Sequence, residues 1–186
     1  FDSTTSFRPG ARFGSAAMRH ESFGLETYSP YQDRDLTDCK IFDSGDLELC
    51  FGSVQQALED IEARAQEILD HDKLPLLIGG EHSVTLGAVR AVHKKYPDLH
   101  IVHFDAHADL RQDYLDPSVF PGTGTPEAGG VTFLELLEAI RRFEGVNVVG
   151  ADVNELAPML DASGVATATA CKVLRERRLT LSHGEG

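Results

Sequence analysis

The sequence predicts an α/β fold in which helices flank a mainly parallel sheet. Short apolar runs alternate with amphipathic segments of helical length. The runs end in glycine or in polar residues, as strands do where the chain turns into a helix. At 186 residues, with 41% apolar and 25% charged side chains, the chain predicts a single domain over residues 1–186 with a substantial core.

Each element has a local reason. Residues 1–35 are rich in Gly, Pro, Ser, Arg and aromatics and read as loop with one short helix. Arg8, Arg12 and Arg19 are interspersed with Asp2, Glu21 and Glu26, so solvation or internal pairing is expected of them rather than an anion site. Ile41 to Leu49 is a weak strand candidate broken by Gly45. Ser53 to His71 is the clearest helix, with Ser53 as N-cap and Gln56 placed to complete a capping box. Val54, Ala57, Leu58, Ile61, Ala65, Ile68 and Leu69 recur at helical spacing and give it one core face. Leu74 to Ile78 reads as a strand, Val84 to Tyr96 as a helix that Pro97 stops, and Leu99 to Phe104 as a second strand. Three prolines and four glycines make 116–130 a shaped loop. Thr132 with Glu135 caps the next helix, which is expected to bury Phe133, Leu136, Leu137, Ile140 and Phe143. Val146 to Val149 reads as a strand, with Asp152 and Glu155 past its end. Ser163 to Arg178 reads as the last helix, with Val165, Ala168, Cys171 and Leu174 inward. Leu179 to Gly186 is expected to fray.

The chemistry concentrates where strands end. Asp105, His107 and Asp109 follow the second strand at alternate positions, so an extended backbone turns all three to one side. Carboxylates with one imidazole suit a divalent ion such as Mn²⁺; the plainer alternative is a polar strand end with an incidental histidine. Gly79-Gly80-Glu81-His82-Ser83 closes the first strand. Taken alone, His82 reads as a loop residue bonded to its neighbours. A βαβ connection would bring it beside the Asp105 group at the carboxyl ends of parallel strands, where sites form in open sheets. Glu81 is a weaker candidate ligand or a support for its loop. His93, His100 and His103 lie outside these motifs and are expected to have surface or core roles.

GGEHS followed by HFDAHADLR resembles the ureohydrolase family of arginases and agmatinases. The loop DPSVFPGTGTPEAGG and the late segment Gly150 to Glu155 resemble two further parts of that pattern. The opening FDSTTSFRPGARFGSAAMR resembles the loop that guards the mouth of agmatinases, and the similarity runs to about Arg178. The resemblance implies a three-layer αβα domain and two Mn²⁺ ions. His82, Asp105 and Asp109 would serve one ion, Asp105 and His107 the other. It implies hydrolysis of agmatine to urea and putrescine, a step of polyamine biosynthesis. Asp109 would handle the proton and Glu155 would hold the guanidinium. Without the resemblance Glu155 reads as an exposed carboxylate or a helix cap. It also implies a soluble trimer or hexamer.

One part of the pattern is cut short. The family separates DAHAD from Asp-x-Asp-x-x-Asp-Pro by a long segment, whereas here the two nearly fuse around residues 110–116. In register with Asp116-Pro117, the first Asp falls on Arg111 and the second on Asp113. Read from the other side, Asp113 merely continues the loop after DAHAD. One or both metal sites are therefore expected to survive, with Asp113 as the remaining ligand in the first register. The alternative to a working hydrolase is a metal-binding remnant with a structural role.

Charge and cysteines bound the rest. Seventeen Lys and Arg against 30 Asp and Glu give a formal charge of −13, which argues against nucleic-acid backbones and modestly favours encounter with a cationic small molecule, although acidity alone usually serves solubility; the resemblance implies that this molecule carries a guanidino group. Three widely spaced cysteines, Cys39, Cys50 and Cys171, make neither a disulfide framework nor a thiolate metal site and predict reduced thiols in the cytoplasm. No apolar run reaches the ~18 residues of a membrane span.

Overall fold

Two helix caps are formed in the computed structural model, which describes residues 1–5, 7–50, 52–105, 122–125 and 130–181. Gln56 donates its amide N–H to Ser53 Oγ at 3.2 Å and opens α2, Val54–Asp70. The expected reciprocal bond is not made, because the Gln56 side chain donates instead to Asp60 at 3.0 Å, one turn on. At Thr132 both halves of the capping box are present and start α4, Phe133–Arg141. Leu137 and Ile140 of α4 are buried, with Phe133, Leu136 and Phe143 half-buried around them.

The remaining helices are α1, Gly14–Ser22, α3, Val84–Lys95, and α5, Val165–Leu181. A short antiparallel pair, β1 (Tyr28–Ser29) with β2 (Arg34–Asp35), lies in the amino-terminal region. The central strands β3, Leu76–Ile78, and β4, Ala151–Val153, are parallel, with Leu76 opposite Ala151 and Ile78 opposite Val153.

Two buried clusters show the layering. Met18, Leu156, Ala166 and Ala170 gather between α1 and α5, with Ile78 of β3 packed against them. Ala65, Leu69, Ala91 and Val92 gather between α2 and α3, with Leu99 and Val149 packed against them. Helices thus cover the parallel pair from two sides, the three-layer αβα arrangement. α2 and α3 approach closely at Gly87, where an added Cβ would lie 2.8 Å from the Leu58 carbonyl. Only a residue without a side chain fits that crossing.

Several strand expectations need correction. The ladder forms at 151–153 and not at 146–149, so Asp152 stands inside β4 rather than beyond it. Ile41 to Leu49 is irregular: Gly45 has φ 79°, and Arg19 of α1 pairs with Asp43 at 2.7 Å and Asp46 at 3.1 Å, which draws the segment into a loop. Leu99 to Phe104 is in no ladder among the described residues, and Ile101 remains 63% exposed. A strand needs a neighbour's N–H and C=O groups, and its apolar side chains need a covered face.

α5 corrects the helical pattern as well. It continues to Leu181, so Leu179 to Leu181 are helical and Leu179 is fully buried. Val165 is 64% exposed, while Arg175 and Glu176 are buried in its place. Both oxygens of Glu176 are occupied: Arg175 donates to Oε1 at 2.7 and 2.9 Å, Ser29 and Gln32 to Oε2 at 2.7 and 2.9 Å. Buried charges persist when paired and hydrogen-bonded in this way.

Candidate metal centre

The site grows from the end of β3. Gly79 donates to Val153 O at 2.9 Å and Glu155 donates to Gly80 O at 2.8 Å, extending the β3–β4 pairing beyond both strands. At Gly80 an added Cβ would lie 1.6 Å from the Phe1 carbonyl oxygen, and at Gly79 2.1 Å from Asn154 Oδ1. Gly80 is therefore required by close backbone approach, while Gly79 is crowded by the side chains of Asn154 and Val84. The result is a seam that holds the chain at 1–5, at 79–83 and at 153–155 together.

Glu81 ties the seam to the amino-terminal loop. Its amide donates to Phe1 O at 2.8 Å. Its buried carboxylate accepts from the Thr4 amide at 2.9 Å and from the Thr5 hydroxyl at 3.0 Å, with further short bonds from the hydroxyls of Thr4 and Ser83. Burial pushes this carboxyl up, but the hydrogen bonds from Ser83, Thr4 and Thr5 outweigh it and hold it below the usual range. Glu81 is thus a support of its loop.

His82 and Asp105 converge. They are joined by His103, and one donor atom from each of the three lies within 4.8 Å of the other two. The His82 and His103 rings stack with centroids 4.7 Å apart and planes 6° from parallel. His103 Nε2 lies 3.5 Å from Asp105 Oδ2. Two imidazoles and a carboxylate suit a borderline divalent transition metal, so the donor set fits such an ion. Sequence alone gives His103 a surface or core role, and the structure instead places it beside His82 and Asp105. The signal that finds it is its spacing: it stands two positions before Asp105, on the same side of an extended segment. His107, Asp109 and Asp113 lie outside the described residues.

Glu155 is half-buried two positions past β4 and adopts φ 65°, a left-handed conformation uncommon for a non-glycine residue. Its backbone bond to Gly80 fixes it beside the loop that carries His82. Behind it Asn154 donates to Thr85 Oγ1 at 2.7 Å, and Thr85 donates to Asp152 Oδ2 at 2.6 Å. Burial lowers the Arg177 guanidinium pKa, with the charge of Asp152 acting against it.

A cleft of about 2410 Å³ opens beside this site, with Leu77, His82, Ile101, His103, Asp152 and Arg177 among its walls. Small-molecule pockets are typically ~300–1,000 Å³. The space exceeds that, and the exposed apolar face of residues 101–104 borders it.

Comparison with known proteins places the chain. The arginase family model matches residues 1–115 and again 112–179. An agmatinase of Bacillus subtilis is 36% identical over 255 aligned residues, covering 96% of this chain and 88% of that protein. An agmatinase of Bacillus cereus is 37% identical with the same coverage. Since 96% of 186 residues is about 179, about 76 of the 255 aligned positions have no residue in this chain. A crystal structure of a proposed agmatinase from Clostridium difficile superposes with a TM-score of 0.94 at 38% identity, covering 100% of this chain and 95% of that one. Among the described residues no helix is long and apolar enough to cross a membrane. In sequence and in fold alike, this chain belongs to the arginase family, whose members are hydrolytic ureohydrolases.

Proposed function

We propose that the chain is an agmatinase-like, Mn²⁺-dependent hydrolase that converts agmatine and water to urea and putrescine. The observation that carries this reading is the meeting of His82, from the loop after β3, and Asp105, from a separate segment of the chain, at one spot. Its wider support is the identity to agmatinases over most of the chain. Bound divalent metal would lower the pKa of water at the site. His82, Asp105, His107, Asp109 and Asp113 are the residues proposed to hold it.

The chain's own groups do the rest. Glu155 pairs with the cationic guanidinium by charge-assisted hydrogen bonds and presents its carbon to the attacking water. Asp109 accepts a proton from that water and returns it to the departing nitrogen. One C–O bond forms and one C–N bond breaks. The oxygen leaves in urea and the proton on putrescine. The proposal extends to a cytoplasmic enzyme assembled as a trimer or hexamer of identical chains.

A second reading has its own observation. The family match comes in two pieces that meet at 112–115, and Arg111 stands where one register puts a ligand carboxylate. A cation there would repel a second ion, leaving a one-metal protein without turnover and with a structural role. Urea release from agmatine in the presence of Mn²⁺ tests both. Release supports the hydrolase. A folded, metal-loaded protein that yields no urea rejects it, and calorimetry that counts one bound ion then supports the second reading.

A further inference from the structure

Glu155 stands between two anchored neighbours. Before it, Asn154 donates its side-chain N–H to Thr85 Oγ1 at 2.7 Å. After it, Leu156 is buried with Met18, Ala166 and Ala170. Between these anchors the chain turns through φ 65° at Glu155. We propose that Thr85 is a positioning residue, whose hydroxyl acts through Asn154 to fix Glu155 where it takes up a cationic guanidinium. This rests on the reading of Glu155 as the holder of that group and adds the device that holds Glu155 itself.

The Thr85 hydroxyl is used in both directions. It accepts from Asn154 and donates to Asp152 Oδ2 at 2.6 Å, so one group in the first turn of α3 ties residues 152 and 154. These alternate positions share one side of the extended chain. The bond to Thr85 is the one hydrogen bond of the Asn154 side chain among the described residues, since its Oδ1 is buried without a partner. That oxygen sits where a Cβ on Gly79 would lie 2.1 Å away, so the carboxamide is wedged against the loop that carries His82. The Glu155 amide donates to Gly80 O at 2.8 Å and ties the backbone to the same loop. A left-handed non-glycine residue is strained and persists only where its surroundings over-determine it, as at ligand clamps. A plain connection from β4 to Leu156 would be met at less cost by glycine or asparagine. A carboxylate kept there at the expense of strain fits a group whose place matters more than its comfort.

Thr85→Val keeps the shape of the side chain and removes the hydroxyl, and Thr85→Ser keeps the hydroxyl. In the full chain with Mn²⁺, Thr85→Val is expected to raise the KM for agmatine roughly tenfold, because less of the protein holds Glu155 in place. Its affinity for Mn²⁺ stays within about twofold of the wild type, and Thr85→Ser restores the KM. An unchanged KM in Thr85→Val overturns the inference, while urea release by the wild type still upholds the hydrolase. A Mn²⁺ affinity that falls in step with the KM change also overturns it, since the hydroxyl would then serve the loop of His82. A wild type that releases no urea rejects the hydrolase, and calorimetry with agmatine then reads the same contrast as affinities. A wild type that does not bind agmatine overturns the inference as well. Should Thr85→Val lose its helical circular dichroism, Thr85→Ala takes its place. Loss of the fold in both would make the hydroxyl a requirement of folding and overturn its positioning role.

Discussion

Thr4 donates its backbone N–H to Glu81 Oε2 at 2.9 Å, across 77 positions of sequence. Through this bond the amino-terminal loop is fastened to the loop that carries His82. Replacing Glu81 by Gln retains a single oxygen acceptor and adds donors that face the hydroxyls of Thr4 and Ser83. The net value of such a bond to a charged group is ~1–2 kcal/mol, which is a factor of roughly 5–30 in local opening. Amide hydrogen exchange at Thr4 is expected to quicken by that factor in Glu81→Gln. Unaltered exchange would mean the loop is held by something other than this carboxylate.

Gly87 should resist even the smallest side chain. Alanine there gains ~1 kcal/mol of helix propensity. Its Cβ would lie 2.8 Å from the Leu58 carbonyl and 2.9 Å from Ile61 Cβ, and a backbone carbonyl cannot rotate aside. Overpacking of this kind costs ~1–3 kcal/mol. Urea denaturation of Gly87→Ala is expected to give a lower midpoint; an equal or higher one would show that α2 and α3 separate freely.

Asp161 gives a pH signature. Its carboxylate accepts from the Ser163 hydroxyl at 2.5 Å, the Ala166 amide at 2.7 Å and the Ser163 amide at 2.9 Å, at the start of α5. The Ser163 hydroxyl and the Ala166 amide are the main causes that hold this group below the usual carboxylate range, against burial. The unfolded chain, with an Asp pKa near ~3.9, then takes up the proton first. Stability from Asp161 is present above that pH and is lost as pH falls through the lower native value. Asp161→Ala should melt a few degrees below the wild type at pH 7, and calorimetry between about pH 5 and 2 should find the gap closing. A gap that stays constant with pH would remove the charged cap from the explanation.

The cysteines should differ in reactivity. Burial, with a smaller effect of the Glu21 charge, pushes the Cys171 thiol up to about 11, and its Sγ donates to Met18 O at 3.4 Å. Cys50 is exposed. The thiolate is the reactive form, so at pH 8 iodoacetamide is expected to label Cys50 quickly and Cys171 slowly, as peptide mass spectrometry would read. Equal labelling rates would contradict the burial of Cys171.

The helices were legible because their signals are local. Ser53 and the Thr132–Glu135 pair start α2 and α4 within a residue of where the sequence puts them. The strands were less so, because a ladder belongs to two segments. Ala151 donates to Pro75 O at 3.1 Å, and that pairing, rather than the apolar run before it, sets where β4 begins. α5 hid its inner face for a related reason: Arg175 and Glu176 look like solvent-facing charges until Ser29 and Gln32, over 140 positions away, supply their partners. At the site, motif and spacing brought His82 and Asp105 into view. His103 stayed hidden because its partner ring comes from the loop after β3, more than twenty positions earlier in the sequence.

The parallel register of Leu76 with Ala151 sets when the centre can exist during folding. Helices such as α2 condense from neighbours in sequence, whereas this pairing must wait until a loop of some seventy residues has closed. Donor groups on either side of that closure meet last. A cation that binds only the finished arrangement would therefore slow unfolding more than it hastens the first collapse.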